Sequence, residues 1–553
     1  MSAGEMPAAP SAYAYPLLIK QLLHTPLALA ADQEIVYRDQ FRYRYRDFHG
    51  RLARVANMLA SLGVRHGSTV AVMDWDSHRY LECYFAVPMM GATLVTVNVR
   101  LSPQQIAYCL SHAKAGLLLV HRDFLPVFEQ LRGQLAALDR LVLIADGGDP
   151  TPPAGFAGEY EDLLAASDTV HEFTDFDENT CATSFYTTGT TGQPKAVAFS
   201  HRQIVLHTLG IGLNFAMPPA GQRFHWGDVY MPLTPMFHVH AWGFPFLATL
   251  LGVKQVYPGR YQPSSILKLI AKEHVTFSHC VPAILQMVLD APESTTTDLK
   301  GWKLVVGGSA MTLGLARRAA ERGIEAWCGY GMSETGPILT SAQVKPGLAL
   351  DANEQLSLRC KTGKQLPLVD LRVVGPDMRD LPHDGRSVGE LVVRAPWLTQ
   401  AYGGDPAASE QLWRGGYLHT QDVANIDADG YVQITDRLKD VIKSGGEWIS
   451  SLDLESLISR HPGVAEVAVI GVPSPRWGER PLALVVVRTE ANATVNADSI
   501  KTHLLALVTA GAMSKAAIPE RILIVEAIDK TSVGKIDKKS LRQKYTTATT
   551  ASA

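Results

Sequence analysis

From residue 68 the chain alternates short apolar runs with longer stretches in which apolar positions return at helical spacing. Residues 69–75 predict a strand, 78–90 a helix, 93–98 a strand, 103–113 a helix and 116–121 a strand. The rhythm returns over 228–329, where a strand at 303–306 precedes a helix at 312–321. Such alternation predicts parallel sheets covered by helices. After about Leu371 the texture changes to short strands divided by turn residues, and Asn425-Ile-Asp-Ala-Asp-Gly430 predicts a hairpin closed by a tight Asp-Gly turn. Next, the charged stretch Asp436-Arg-Leu-Lys-Asp440 separates two strand-like runs, and a mixed α/β pattern follows. The expected fold is therefore α/β. A large N-terminal domain over 1–436 holds helix-covered, mainly parallel sheets plus a small β-rich subdomain. A small α+β C-terminal domain covers 437–545, and the Thr/Ala-rich tail 546–553 is expected to be disordered.

Composition narrows the function classes. The 553 residues are 46% hydrophobic and 19% charged, enough to bury a large core and to exclude bulk disorder. With 51 basic against 54 acidic side chains the net charge is −3, so no basic face for nucleic acid is expected and any anionic ligand needs a local site. The six cysteines are scattered without a C-x-x-C pair, a pattern that suits a reducing compartment. The first fifteen residues do not read as a signal peptide, and the longest apolar stretch, 241–253, is too short to span a bilayer and contains Pro245. A soluble, cytoplasmic protein without a membrane span is expected.

The most informative segment is Tyr186-Thr-Thr-Gly-Thr-Thr-Gly-Gln-Pro-Lys195. Its glycines free the backbone, and the N–H groups and hydroxyls of Thr187, Thr188, Gly189, Thr190, Thr191 and Gly192 can surround phosphate oxygens. Lys195 adds a neutralising charge. The string is not a Walker A loop, because Pro194 precedes the lysine and Ala196 follows it where Ser or Thr would be required. It closely resembles the Y-T-S-G-T-T-G-x-P-K-G signature of the adenylate-forming superfamily of acyl-CoA synthetases, adenylation domains and luciferases, with Ala196 in place of the usual glycine.

Further segments fall in that superfamily's order: Pro235-Met-Phe-His-Val-His-Ala-Trp242, Gly307-Gly-Ser-Ala310, Tyr330-Gly-Met-Ser-Glu334, Gly389-Glu-Leu391, Thr420-Gln-Asp422, Asp436-Arg-Leu-Lys-Asp440, Gly445-Gly-Glu447 and Thr531-Ser-Val-Gly-Lys535. Ser333 stands for the commoner threonine, and Gln421 for glycine in T-G-D. The resemblance implies ATP-dependent activation of a carboxylic acid through an acyl-adenylate, then transfer of the acyl group to a thiol with release of AMP. The first step brings two anions together, so charge neutralisation and positioning dominate it.

Residue by residue, the resemblance places Mg²⁺ on Thr187 and Glu334, and the ribose hydroxyls on Asp422 with Arg437 reaching the nucleotide. It puts adenine against Tyr330 and the turn Gly308, Ser309 and Ala310, continued by Gly331, Met332 and Ser333. Lys535 becomes the catalytic lysine of a mobile C-terminal domain, beside His238 and Glu334. His238 is an aromatic gate, Lys439 the hinge, Gly445 and Gly446 the wall of a pantetheine tunnel, and Trp448 its neighbour. The acid pocket would be lined by His238, Val239, Trp242, Val306, Gly307, Gly331, Met332 and Pro337. No Lys, Arg or Asp in these stretches fixes a polar far end, so an apolar acid is favoured. Chain length is not legible, since one CH₂ contributes only about 0.8 kcal/mol. The wording looks most like medium-chain fatty acyl-CoA and methylmercaptopropionate ligases. Aryl acids, a carrier-protein acceptor in place of free coenzyme A, a luciferase-like oxygenase, a non-catalytic binding protein and a homodimer stay open. His238-Val-His240, read as a strand whose alternate side chains share a face, lacks a third ligand for a metal site.

Overall fold

The computed structural model describes residues 8–135, 137–187, 193–219, 221–444, 447–488, 495–510, 513–531 and 536–547. Among them the strands form four sheets, of nine, eight, five and five strands. The nine-stranded sheet runs in the spatial order Lys364–Gln365, Ile338–Ser341, Glu325–Gly331, Lys303–Val306, Phe277–Cys280, Val229–Leu233, Lys254–Tyr257, Glu34–Tyr37, Phe41–Arg44. Its centre is parallel and its outermost pairings are antiparallel. The eight-stranded sheet is also mainly parallel, with parallel pairing among Thr69–Met73, Thr93–Thr96, Leu117–His121 and Arg140–Ile144 and antiparallel pairing at one edge only. Crossover helices such as His78–Met89, Pro103–His112 and Leu313–Glu321 connect or cover these strands, as the alternating pattern requires.

The third sheet is antiparallel and begins at Asp370–Val374; the fourth lies beyond Arg437, with its helices Ser451–Ser459, Ala497–Thr509 and Lys538–Thr547. Three local expectations are corrected. The Tyr417–Ile426 and Val432–Arg437 strands do form a hairpin, but Ile426 pairs with Val432, so five residues close it rather than a tight Asp-Gly turn. Asp427 takes over the turn, its Oδ1 accepting from the N–H groups of Asp429 (3.0 Å) and Tyr431 (2.9 Å). The last helix continues through Thr547, two positions into the stretch expected to be a tail. Finally, Val239, His240, Ala241 and Trp242 form no strand: their φ values of 47°, 52°, 46° and 60° make a left-handed turn that ends at Gly243.

That turn is costly, at about 1–2 kcal/mol for each L-residue. All four side chains are buried, and packing holds the conformation. Polar groups at the seam of the two large sheets fix the segment just before it. Asp76 follows the Thr69–Met73 strand, and its backbone carbonyl accepts from Gly259 N–H, beyond the Lys254–Tyr257 strand (2.9 Å). Its Oδ1 accepts from Met236 N–H (2.8 Å) and its Oδ2 from the Tyr261 hydroxyl. Tyr84 donates to the Met236 carbonyl, and Thr96 to that of Phe237 (2.9 Å).

Burial raises the Asp76 carboxyl from 3.8 to about 7, against the opposing pull of Tyr261, Met236 N–H and Arg100. A carboxyl raised in the folded state stabilises the fold below its unfolded value, and that contribution disappears as pH rises through about 7. Asp76→Asn has no proton to lose there. Its melting temperature relative to wild type should therefore climb by a few degrees between pH 5 and 8. A pH-independent difference in paired melting curves would contradict this.

Candidate active site

The site is built where three sheets meet. In the hairpin register Asp422 lies opposite Arg437, and the Glu325–Gly331 strand brings in Tyr330. Asp422 is buried; its Oδ2 accepts from the Tyr330 hydroxyl (2.6 Å), and its Oδ1 faces Arg437 Nε (3.2 Å). Burial, then the Asp422 charge, pushes the Tyr330 phenol well above its ordinary range, so it remains a donor. A buried carboxylate needs such partners, because an uncompensated charge there is strongly destabilising. Gln421, immediately before, is exposed and has φ of 60°; its carbonyl accepts from Leu438 N–H (3.0 Å). Glycine, the residue of the T-G-D string that this segment resembles, would adopt this φ without a side-chain penalty.

A second group lies next to it. Glu334 sits in the short helix Ser333–Thr335 and is buried. Its Oε1 accepts from the Tyr402 hydroxyl at 2.6 Å. The ring of Tyr402 lies under Lys195, with Nζ 4.6 Å from its centroid. Tyr402 reaches this place because Tyr402–Gly403 pairs antiparallel with the start of Lys195–Ser200, Tyr402 opposite Val197 and Gly403 opposite Ala196. A Cβ on Gly403 would come 3.1 Å from that of Ala196, so the alanine that replaces the usual glycine fits because its partner is glycine. Thr187 ends the Cys181–Thr187 strand opposite Lys195.

Beside Tyr330 opens a pocket lined by His238, Val239, Trp242, Val305, Gly308, Gly331, Met332, Ser333 and Pro337 among others. Gly331 passes so close to Pro337 that a Cβ would lie 1.8 Å from its carbonyl oxygen, so no side chain fits there. Gly308 has φ of 80°, and Ser309 and Ala310 are exposed on the turn beyond it. Trp242 folds back against Gly307, where an added Cβ would lie 3.0 Å from the indole. Val306, expected in the lining, and Val305 are both fully buried, and it is Val305, on the opposite face of the same strand, that borders the pocket. His240, one face away from His238, lies in an aromatic cage of Tyr84, Phe185, Phe199 and Phe246, where burial lowers it to about 3 and keeps it neutral.

A family model described as AMP-binding enzyme matches residues 25–403, and the AMP-binding enzyme C-terminal domain matches 453–535. The chain belongs to the AMP-binding enzyme family. It is 42% identical over 95% of its length to a long-chain-fatty-acid–CoA ligase of Thermus thermophilus, covering 94% of that protein. It is 37% identical to a 3-methylmercaptopropionyl-CoA ligase of Ruegeria pomeroyi, covering 89% of this chain and 90% of that one. Among solved structures it resembles an anthranilate CoA ligase, AuaEII, in complex with anthranoyl-AMP, with a TM-score of 0.85, 25% identity, and coverage of 97% of this chain and 99% of that one.

In this AMP-binding enzyme the crossing into the C-terminal part follows Arg437 directly. The Arg437 carbonyl accepts from Asp440 N–H (2.8 Å) and Val441 N–H (3.0 Å), a single turn that contains Lys439. Lys439 is lowered by burial and by Arg437 beside it. One contact joins the two parts across the turn, and another braces the turn from the C-terminal side. Asp436 Oδ2 accepts from Ser451 N–H (2.7 Å) and Oγ (2.6 Å), while Arg542 pairs with Asp440 (2.5 Å). Thr188, Gly189, Thr190, Thr191, Gly192, Gly445, Gly446 and Lys535 lie outside the described residues, as does the Trp448 side chain. Tyr402 escaped the sequence reading, because an isolated tyrosine before Gly-Gly-Asp-Pro carries no motif; only the strand pairing places it.

The strain at Gln421 is testable because the side chain is exposed. Gln421→Val, β-branched at positive φ, should lose about 1–2 kcal/mol of stability, whereas Gln421→Gly should lose none. Denaturant unfolding of the two variants checks this, and equal stability would contradict a left-handed residue here.

Proposed function

We propose that this chain is an ATP- and CoA-dependent acyl-CoA ligase. It activates an apolar carboxylic acid, a fatty acid of medium or long chain, through an acyl-adenylate and delivers it to CoA, releasing pyrophosphate and AMP. The observation that carries this reading is that Tyr330, which holds the buried Asp422 carboxylate opposite Arg437, also lines the pocket, while Glu334, one residue beyond the pocket-lining Ser333, meets Lys195 through Tyr402. A carboxylate presented to a vicinal diol suits ribose, and a lysine beside a Gly/Thr-rich segment suits phosphate.

In the proposed mechanism Asp422 holds the ribose hydroxyls and Arg437 faces the nucleotide. Adenine lies between Tyr330 and the turn Gly308, Ser309 and Ala310, continued by Gly331, Met332 and Ser333. Thr187, Thr188, Gly189, Thr190, Thr191, Gly192 and Lys195 hold the phosphates. The oxygen donors Thr187 and Glu334 fit Mg²⁺, which neutralises phosphate charge when bound. The acid enters between His238, Val239, Trp242, Gly307, Gly331, Met332 and Pro337, with Val305 behind. Lys535, on a C-terminal domain over 437–545 that pivots at Lys439, steadies the acid's carboxylate against the α-phosphate. After the pivot, Gly445 and Gly446 leave room for the pantetheine arm, with Trp448 alongside and His238 closing the acid site. We place the enzyme in the cytoplasm. No helix among the described residues is long and apolar enough to cross a membrane.

None of the described residues lining the pocket is charged, which favours an acid with an uncharged far end. A second reading, a short methylthio acid, is favoured by the similarity to the Ruegeria protein. Mass spectrometry of purified enzyme with ATP, Mg²⁺, CoA and a panel of straight-chain, methylthio and aryl acids tests both. Acyl-CoA with AMP is expected, largest for straight-chain acids of medium or long chain. A preference for methylthio acids would select the second reading, and acyl-adenylate without acyl-CoA, or no ATP consumption, would overturn the proposal.

A further inference from the structure

Lys195 and Glu334 carry opposite charges on different elements and both reach Tyr402, yet they form no ion pair with each other. What stands between them is Tyr402. Its ring face holds Lys195 Nζ at 4.6 Å from the centroid, and its hydroxyl donates to Glu334 Oε1 at 2.6 Å. The backbone beneath the ring is anchored: the Tyr402 N–H donates to Ser409 Oγ (3.0 Å), and Tyr402 pairs with Val197 in the strand register. The same loop fixes the Glu334 backbone, whose carbonyl accepts from Thr399 N–H (2.9 Å), while Thr399 Oγ1 donates to the Ala198 carbonyl (3.1 Å). One short segment, residues 399–402, thus sets both the lysine strand and the acidic turn.

We propose that Tyr402 is a positioning residue that acts as a spacer, keeping Lys195 and Glu334 from neutralising each other so that the lysine serves phosphate and the carboxylate serves the metal ion. The inference rests on the reading of Glu334 as metal-associated. In a partly buried site two opposite charges within reach attract strongly, and a flexible lysine closes that distance unless something occupies it. An aromatic ring suits the spacer role because its face attracts the ammonium without taking a proton or a charge. The hydroxyl engages one carboxylate oxygen, Oε1, and leaves Oε2 outside that bond.

The test uses the whole enzyme with a non-hydrolysable ATP analogue and Mn²⁺, with bound Mn²⁺ read by electron paramagnetic resonance and the fold of each variant checked by its melting curve. Tyr402→Ala should weaken Mn²⁺ binding about tenfold, the low end of the loss that follows removal of a ligand's hydrogen-bonded support. Tyr402→Phe, which keeps the spacer and loses the hydrogen bond, should stay within about threefold of wild type. The decisive comparison, made at saturating analogue because Lys195 itself holds the phosphates, is Tyr402→Ala with Lys195→Gln against Lys195→Gln alone: once the lysine that would collapse onto Glu334 is gone, losing Tyr402 should cost little further Mn²⁺ affinity, a coupling a merely structural role would not produce. Wild-type affinity in Tyr402→Ala, or an equally large further loss in the double variant, would overturn the spacer. If Tyr402→Ala does not fold, a tenfold loss in Tyr402→Phe overturns it equally. If the wild-type enzyme adds nothing to the affinity of the analogue alone for Mn²⁺, the metal reading of Glu334 falls, and the proposal with it.

Discussion

A carboxylate buried at a junction of sheets must be compensated, and at Asp422 the compensation comes from two other strands: the Tyr330 hydroxyl on one side and the Arg437 guanidinium on the other. That requirement orders the surroundings. Tyr330 ends a strand of the nine-stranded sheet, Asp422 lies in the antiparallel sheet, and Arg437 is the last residue before the turn into the C-terminal part. The same three residues that satisfy one buried charge therefore connect the pocket, the hairpin and the crossing at Lys439. Gln421 accepts a left-handed backbone one residue earlier so that its carbonyl can reach Leu438, which ties the hairpin to the same crossing.

Strain and burial are concentrated along the side of the pocket that His238, Val239 and Trp242 form. Four L-residues in left-handed conformation follow His238, and they persist because Val239, His240, Ala241 and Trp242 are packed on every side. The segment before them is tied down by Asp76, Tyr84 and Thr96 from the eight-stranded sheet. The pocket wall is thus made by one sheet and held by the other, and His238 stands where the rigid part meets the strained part.

Much of this was legible in the chain. Periodicity located the central strands and helices within a residue or two, because strands buried on both faces and amphipathic helices leave distinct patterns; 303–306 and 116–121 are examples. The family was readable because 186–195 and 420–422 resemble signature strings whose unusual composition and fixed spacing rarely arise by chance. Tertiary features were not readable. Nothing in Val-His-Ala-Trp signals a left-handed turn, since packing overrides the local preference. The five-residue loop at Asp427 follows from that side chain's capping bonds, not from the Asp-Gly pair. Val305 replaced Val306 in the lining because a strand's phase is set by its neighbours. Tyr402 joins Lys195 to Glu334 across long sequence separations and belongs to no periodic element.

If the Asp422 clamp is the nucleotide's ribose site, its loss must show in AMP binding, and calorimetric titration of AMP into wild-type enzyme and Asp422→Asn reads that loss. The asparagine keeps the shape but weakens two charge-assisted hydrogen bonds at about 1.5 kcal/mol each, so AMP affinity should fall about a hundredfold while the melting transition persists. Unchanged AMP affinity in a folded Asp422→Asn enzyme would contradict a ribose site at this carboxylate.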